Sequence, residues 1–384
     1  MLNYRNYGRL WRVYGRSLVR YGSVKKMWNA VRTEAAYRRR ASDVPSTPYI
    51  LNIEPLYYCN LDCPLCDRQI FPTARKKDAG RLPHEIIDKI FDEVGDYLYQ
   101  CQIFGQGEPM LDWKRSEYII EQAHKRRIFT LLSTNCTLIT PQIAQEIVEG
   151  NLDYLVCAID GTSQESYSVY RVGGKVEDAL RGLRLVCAER DRQRSDIHIE
   201  WQFLVHRHNI HEIAEAQKIA DELKVTLRCS PLAGMEWNPD LQEYWLPQTE
   251  KWQDRRKSAG ISIYTWPCYY LWRALIVNSN ARLARCLIYQ NVAQYGDLNT
   301  GSVMEFYNGP ESQRARLLFR KGAIPDGDFP SPCKNCAYYE REHGGPKMDK
   351  GSSIGMPTSH GTKFTIPLEP REPADAKESG RGRN

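Results

Sequence analysis

From Tyr49 onward, short runs rich in Ile, Val, Leu, Tyr and Phe alternate with stretches of helical spacing, and this rhythm restricts the fold more than any other property of the chain. Strand candidates are 49–55, 99–104, 128–134, 152–160, 197–204 and 225–230. Helical stretches lie between them at 83–97, 113–126, 140–149, 178–193 and 209–223, the last keeping Ile210, Ile213, Ala214, Ile219 and Leu223 on one face. Six strands joined by helical crossovers predict a parallel sheet curved into a partial barrel, with ligands gathered at the C-terminal ends of the strands. Hydrophobic residues at 42% and charged residues at 26% of 384 exclude fibrous and wholly disordered chains. No run of 18 apolar residues occurs, which predicts a soluble cytoplasmic protein or a peripheral one.

Residues 1–40 hold eleven Lys/Arg and one acid, Glu34, so the remaining chain is slightly acidic and does not read as a nucleic-acid-binding body. Tyr7-Gly8, Tyr14-Gly15 and Tyr21-Gly22 recur every seven positions, nearly two helical turns, and would line one face with Leu18, Val24 and Trp28 nearby. Such a basic helix either packs on its own domain or makes a peripheral contact with anionic lipid or an acidic carrier.

Twelve cysteines in a chain of this size suggest metal binding or catalysis rather than a disulfide scaffold. Cys59, Cys63 and Cys66 converge in CNLDCPLC, directly after the first predicted strand. A structural zinc site closes with four ligands, and the next cysteine is Cys101, so three thiolates with a vacant fourth position suit an iron–sulfur cluster with one open iron; a zinc loop with a distant ligand is the alternative. Gly105-Gln106-Gly107 is no dinucleotide fingerprint, because Met110 occupies the third glycine position.

This spacing resembles the signature of the radical S-adenosylmethionine (SAM) superfamily, and further motifs follow in order. Gly105-Gln106-Gly107-Glu108-Pro109 looks like the family's GEP motif, which implies that its backbone holds the methionine amino group. Ser133-Thr134-Asn135 and Asp160-Gly161 end the third and fourth strands, and Arg171 corresponds to an arginine that pairs with the SAM carboxylate in similar enzymes. The chain departs from the pattern at Leu65, where an aromatic residue usually packs on adenine, at Ala158, where a serine is common, and at Cys136, where relatives commonly have glycine.

Cys268, Cys286, Cys333 and Cys336 form a second group, which alone reads equally well as zinc. With Trp272, Tyr295-Gly296-Asp297-Leu298 and Met304-Glu305-Phe306-Tyr307-Asn308 between them, they resemble the shortened "twitch" form of the SPASM domain, which implies an auxiliary four-iron four-sulfur cluster. The expected architecture is a basic helical extension (1–48), a radical SAM partial (β/α)6 TIM-like barrel (49–235), a linker (236–263), a small twitch/SPASM-type iron–sulfur domain (264–340) and a disordered tail (341–384).

The resemblance implies SAM and two 4Fe-4S clusters as cofactors and a flavodoxin- or ferredoxin-type electron donor. The cofactor would abstract a hydrogen atom, and the protein would position the substrate and exclude water. The expected substrate is a small or carrier-bound glycoside or aminocyclitol, oxidised or epimerised at a carbinol carbon. Peptide maturation is one alternative and a non-catalytic zinc-binding interaction protein another. Epimerisation needs a hydrogen donor, for which Cys136 and Cys229, at or just past strand ends, are the candidates. Cys101, Cys157 and Cys187 read as packing. Glu200 alternates with Ile199 and Trp201 and is a candidate base or substrate ligand if its side faces the lumen.

Overall fold

The computed structural model describes residues 15–70, 80–232, 239–249, 252, 268, 270–287, 294–320 and 333. The expected tail and Cys336 lie outside them.

Two N-terminal helices, α1 (Arg16–Tyr21) and α2 (Val24–Arg39), precede the first strand. The barrel then runs β1 (Ile50–Ile53), α3 (Asp67–Ile70), α4 (His84–Val94), β2 (Gln100–Ile103), α5 (Trp113–Lys125), β3 (Phe129–Thr134), α6 (Pro141–Glu149) and β4 (Tyr154–Ala158). It continues through α7 (Gln164–Tyr170), α8 (Val176–Gln193), β5 (His198–Val205), α9 (Ile213–Glu222) and β6 (Thr226–Pro231). After α10 (Pro239–Trp245) come α11 (Tyr270–Arg273), β7 (Ala274–Val277), β8 (Arg282–Ala284), β9 (Gln294–Asp297), α12 (Val303–Tyr307) and α13 (Pro310–Leu317).

The helices start where local chemistry supplies the missing acceptors. Thr140 accepts from the Ile143 N–H ahead of Pro141, Ser163 caps α7, and Ser302 with Glu305 closes a reciprocal box on α12. Alternation along the strands divides them into two faces. Leu51, Ile53, Cys101, Ile103, Leu132, Leu155, Cys157, Ile199, Trp201 and Phe203 pack outward, in one core with helix residues such as Ile87, Ile90, Ile120, Ile147 and Leu183.

β1 to β6 pair parallel in sequence order, the partial barrel expected of a radical SAM fold. The auxiliary region is no detached module. β7 pairs parallel with the free side of β1, Ile50 opposite Ala274, and β8 and β9 extend the same sheet antiparallel, giving nine strands in the order β6-β5-β4-β3-β2-β1-β7-β8-β9.

The N-terminal helices are equally integral. Tyr21 joins Phe129, Leu131, Tyr154 and Val156 in an apolar cluster at the N-terminal ends of the strands, and its hydroxyl donates to Asp153 at 2.5 Å. Glu34 forms a bidentate pair with Arg273 at 2.6 Å on both arms, and Tyr37 packs edge-on against Trp272. Packing on its own domain is thus the observed arrangement for residues 16–40. Among the described residues no helix is long and apolar enough to cross a membrane.

Candidate functional site

The C-terminal ends of β1 to β5 bring the first motifs together. Cys59, Cys63 and Cys66 lie on one turn, where Leu61 N–H donates to Cys59 Sγ at 3.4 Å and Cys66 N–H to the Cys63 carbonyl at 3.1 Å. Leu61, Leu65, Tyr170, Leu232 and Trp245 pack around the thiols. Burial pushes the Cys59 thiol up to about 11, helped by the nearby Glu108 carboxylate, and also raises Cys63, against which Arg171 pulls the other way.

The loop after β2 is braced by two buried carboxylates. Glu108 accepts from the N–H of Met110 at 3.1 Å, the hydroxyl of Thr134 at 2.6 Å and the N–H of Asn135 at 2.9 Å, tying the Gly105–Pro109 loop to the end of β3. Glu54, just past β1, accepts from Gln106 N–H at 2.6 Å and Gly107 N–H at 3.3 Å through Oε1, and from the N–H and hydroxyl of Ser279 through Oε2. Its carboxyl is raised by burial, which those four donors oppose. Glu54 was not among the sequence candidates, and its signal was a lone acid just past a strand that is apolar but for Asn52. Gly107 admits no side chain, because a Cβ there would lie 2.0 Å from the Leu56 carbonyl oxygen.

Asp160 is fully buried after β4. Its Oδ1 accepts from Leu204 N–H at 2.7 Å and its Oδ2 from Arg171 Nε at 2.6 Å, while Arg171 Nη1 points at Cys63 Sγ, 3.8 Å away. The guanidinium expected on the SAM carboxylate is therefore held by Asp160 and faces the thiolate turn. Asn135 donates from Nδ2 to Asn60 at 3.0 Å, so the ends of β3 and the cysteine turn are latched together.

Two expectations about hydrogen-donor thiols are corrected. Cys136 is fully buried in the core between sheet and helices, beside Cys157, and its thiol is pushed far up by that burial. Its backbone sits at φ 66°, the left-handed region that favours glycine. Cys229 packs with Leu227 on the helix-facing side of β6. Neither thiol faces the lumen, since the strand alternation that points Arg228 and Ser230 inward turns Cys229 outward. Glu200 does face inward, and its fully buried carboxylate accepts from Arg228 Nε at 2.5 Å, while Arg228 also reaches Gln202 and, at 2.9 Å, Ser230.

The cofactors the motifs imply fit these residues. Three soft thiols share one turn, Cys63 buried and Cys59 and Cys66 half-buried, a donor set that suits an iron–sulfur cluster. In the auxiliary region Cys268 and Cys333 lie in one apolar cluster with Tyr37, Trp272, Tyr307 and Phe319, and Cys286 is half-buried just past β8.

Comparison with known proteins defines the class. Residues 53–198 match the radical SAM superfamily model and residues 268–337 match the SPASM iron–sulfur cluster-binding domain. The chain carries a radical SAM domain followed by a C-terminal SPASM domain. The first domain implies SAM and a 4Fe-4S cluster, and the second implies auxiliary iron–sulfur binding; neither match supports the zinc alternative.

Among curated proteins it is 24% identical to PqqA peptide cyclase of Gluconobacter oxydans, over 79% of this chain and 86% of that one. It is also 24% identical to mycofactocin maturase MftC of Mycobacterium tuberculosis, over 57% of this chain and 51% of that protein. Among solved structures, Streptococcus suis SuiB bound to S-adenosylmethionine superposes with a TM-score of 0.57 at 13% identity, covering 76% of this chain and 72% of that one, and this likeness shows the fold. SuiB bound to precursor peptide SuiA gives 0.55. These relatives give no support to the expected likeness to sugar and aminocyclitol enzymes.

Proposed function

We propose that this chain modifies a peptide by radical chemistry. The observation that carries the reading is the alignment with a peptide cyclase across 79% of the chain, which spans barrel and SPASM domain together. The expected alternative of peptide maturation thereby replaces the glycoside as the leading substrate class.

When bound, the cluster and SAM supply hydrogen-atom abstraction. Cys59, Cys63 and Cys66 would hold the cluster, and the Gly105–Pro109 backbone, braced by Glu54 and Glu108, would receive SAM. Arg171, held by Asp160, places positive charge beside the Cys63 sulfur. Inside the lumen Gln202, Arg228 and Ser230 offer fixed polar groups that can orient an amide-rich substrate, and the Tyr21 plug closes the opposite end to water. Cys268, Cys286, Cys333 and Cys336 would hold the auxiliary cluster, and a flavodoxin- or ferredoxin-type protein would donate the electron.

The test is to incubate anaerobically reconstituted protein with SAM, a reductant and short peptides encoded near its gene. Expected are 5'-deoxyadenosine and a peptide lighter by two hydrogen atoms. Conversion of a glycoside or aminocyclitol, with every peptide unchanged, would restore the displaced substrate class.

A further inference from the structure

From Val24 to Thr33 helix α2 is inverted, before Ala36 and Tyr37 turn apolar packing inward. The side it turns to the protein carries Lys26, Asn29 and Thr33, all buried, whereas Val24, Met27, Trp28 and Val31 form an i, i+3, i+4, i+7 stripe on the side turned to solvent. Together with Leu18 and Val19 of α1 these side chains are between 53% and 82% exposed, and they account for six of the eight exposed large hydrophobic residues described in the molecule. A soluble helix folded for its own sake would bury that stripe.

The polar inner side is fully employed, so the inversion is a settled arrangement. Lys26 Nζ donates to the carbonyls of Arg126 and Arg127, Asn29 exchanges hydrogen bonds with Thr47, and Thr33 meets Ser46.

We propose that the outer face of α1 and α2 docks onto an anionic lipid surface. Three observations select that occupant. The exposed residues between Leu18 and Arg39 include Arg20, Lys25, Arg32, Arg38 and Arg39 and no acid. Arg20 and Lys25 are paired with Asp196 and Asp96 on the body, which leaves the cations of the second half of α2 to meet lipid headgroups. Next, the stripe stands on a ridge, as its exposure shows, and a ridge of Val, Met and Trp enters a headgroup layer where a groove would instead receive a peptide.

Position is the third. α1 and α2 contact Asp96, Arg126, Arg127, Asp153 and Asp196, all on segments entering strands, whereas the cysteine turn lies at the opposite, C-terminal end. A flat surface bound there leaves the active-site mouth open, and a substrate peptide bound there would lie at the wrong end of the barrel. A second copy across a twofold axis would set these cations against themselves. The inference is independent of the substrate class.

Full-length reconstituted protein should co-sediment with vesicles of phosphatidylcholine and phosphatidylglycerol at least about tenfold more strongly than with phosphatidylcholine alone. The double substitution Trp28→Ser and Val31→Ser should weaken that binding by at least about tenfold while leaving 5'-deoxyadenosine formation unchanged. Equal sedimentation of wild type and variant overturns the proposal, as does wild type that stays in solution with both vesicles. Light scattering that finds a wild-type dimer and a variant monomer overturns it in favour of self-association, and retention of an acidic peptide without vesicle binding overturns it in favour of a peptide dock.

Discussion

Glu54 carries more of the site than any residue the motifs name, because one buried carboxylate joins the Gly105–Pro109 loop of the barrel to Ser279 beyond β7. Glu54→Gln sets an amide NH2 against N–H donors and should cost about 2–4 kcal/mol of stability. A lowered melting temperature together with weaker equilibrium binding of SAM would show it, and melting without a binding defect would separate packing from loop placement. Cys136→Ala keeps a Cβ in the left-handed backbone at φ 66° and so relieves none of its strain, and neither the Cys136 nor the Cys229 thiol faces the lumen. Cys136→Ala and Cys229→Ala should therefore leave product identity and SAM cleavage intact, a result read by mass spectrometry. His206 is packed against Tyr170, His208 and Trp245, and burial, with His208 and Arg171 nearby, pushes its imidazole down to about 3. The unfolded state binds the proton near pH 6.5 and the native state does not, so stability falls as pH drops from about 6.5 towards 3. His206→Phe should flatten that slope by up to about 1.36 kcal/mol per pH unit in urea titrations.

At the scale of elements, α2 depends on its polar side. The Lys26 ammonium sits on two carbonyls at the C-terminal end of α5, while burial lowers it to about 8. Lys26→Met leaves both carbonyls without that donor and should lower unfolding stability by about 1–3 kcal/mol, and amide exchange should show α1 and α2 loosening before the sheet. The strand periodicity was readable because one side of each strand meets helices: the expected strands overlap β1 to β6 of the nine described, and the expected helices overlap α4, α5, α6, α8 and α9. α3, α7 and α10 went unforeseen, being short with a weak apolar period, and α11 to α13 and β7 to β9 were not placed individually.

Across the whole molecule, the continuous sheet makes the barrel and the auxiliary region mechanically one. β1 is central, paired to β2 on one side and to β7 on the other, and the Glu34–Arg273 pair ties α2 to the segment leading into β7. Denaturation should therefore show coincident transitions by far-ultraviolet circular dichroism and by the visible absorbance of the clusters. Two separated transitions would show that the SPASM region unfolds independently of the barrel.

The sequence by itself determined the order of strands and helices and the grouping of Cys59, Cys63 and Cys66, because hydrophobic period and ligand spacing are local properties of a chain. Only the tertiary structure decided which side of a strand faces the lumen, which turned Cys136 and Cys229 into core and gave Glu200 to Arg228. It also decided that β7 completes the barrel sheet, that Glu54 spans two domains, and that α2 wears its apolar stripe outward. Each of these depends on partners brought together across tens to hundreds of residues, and no periodicity encodes which distant group will satisfy a buried charge.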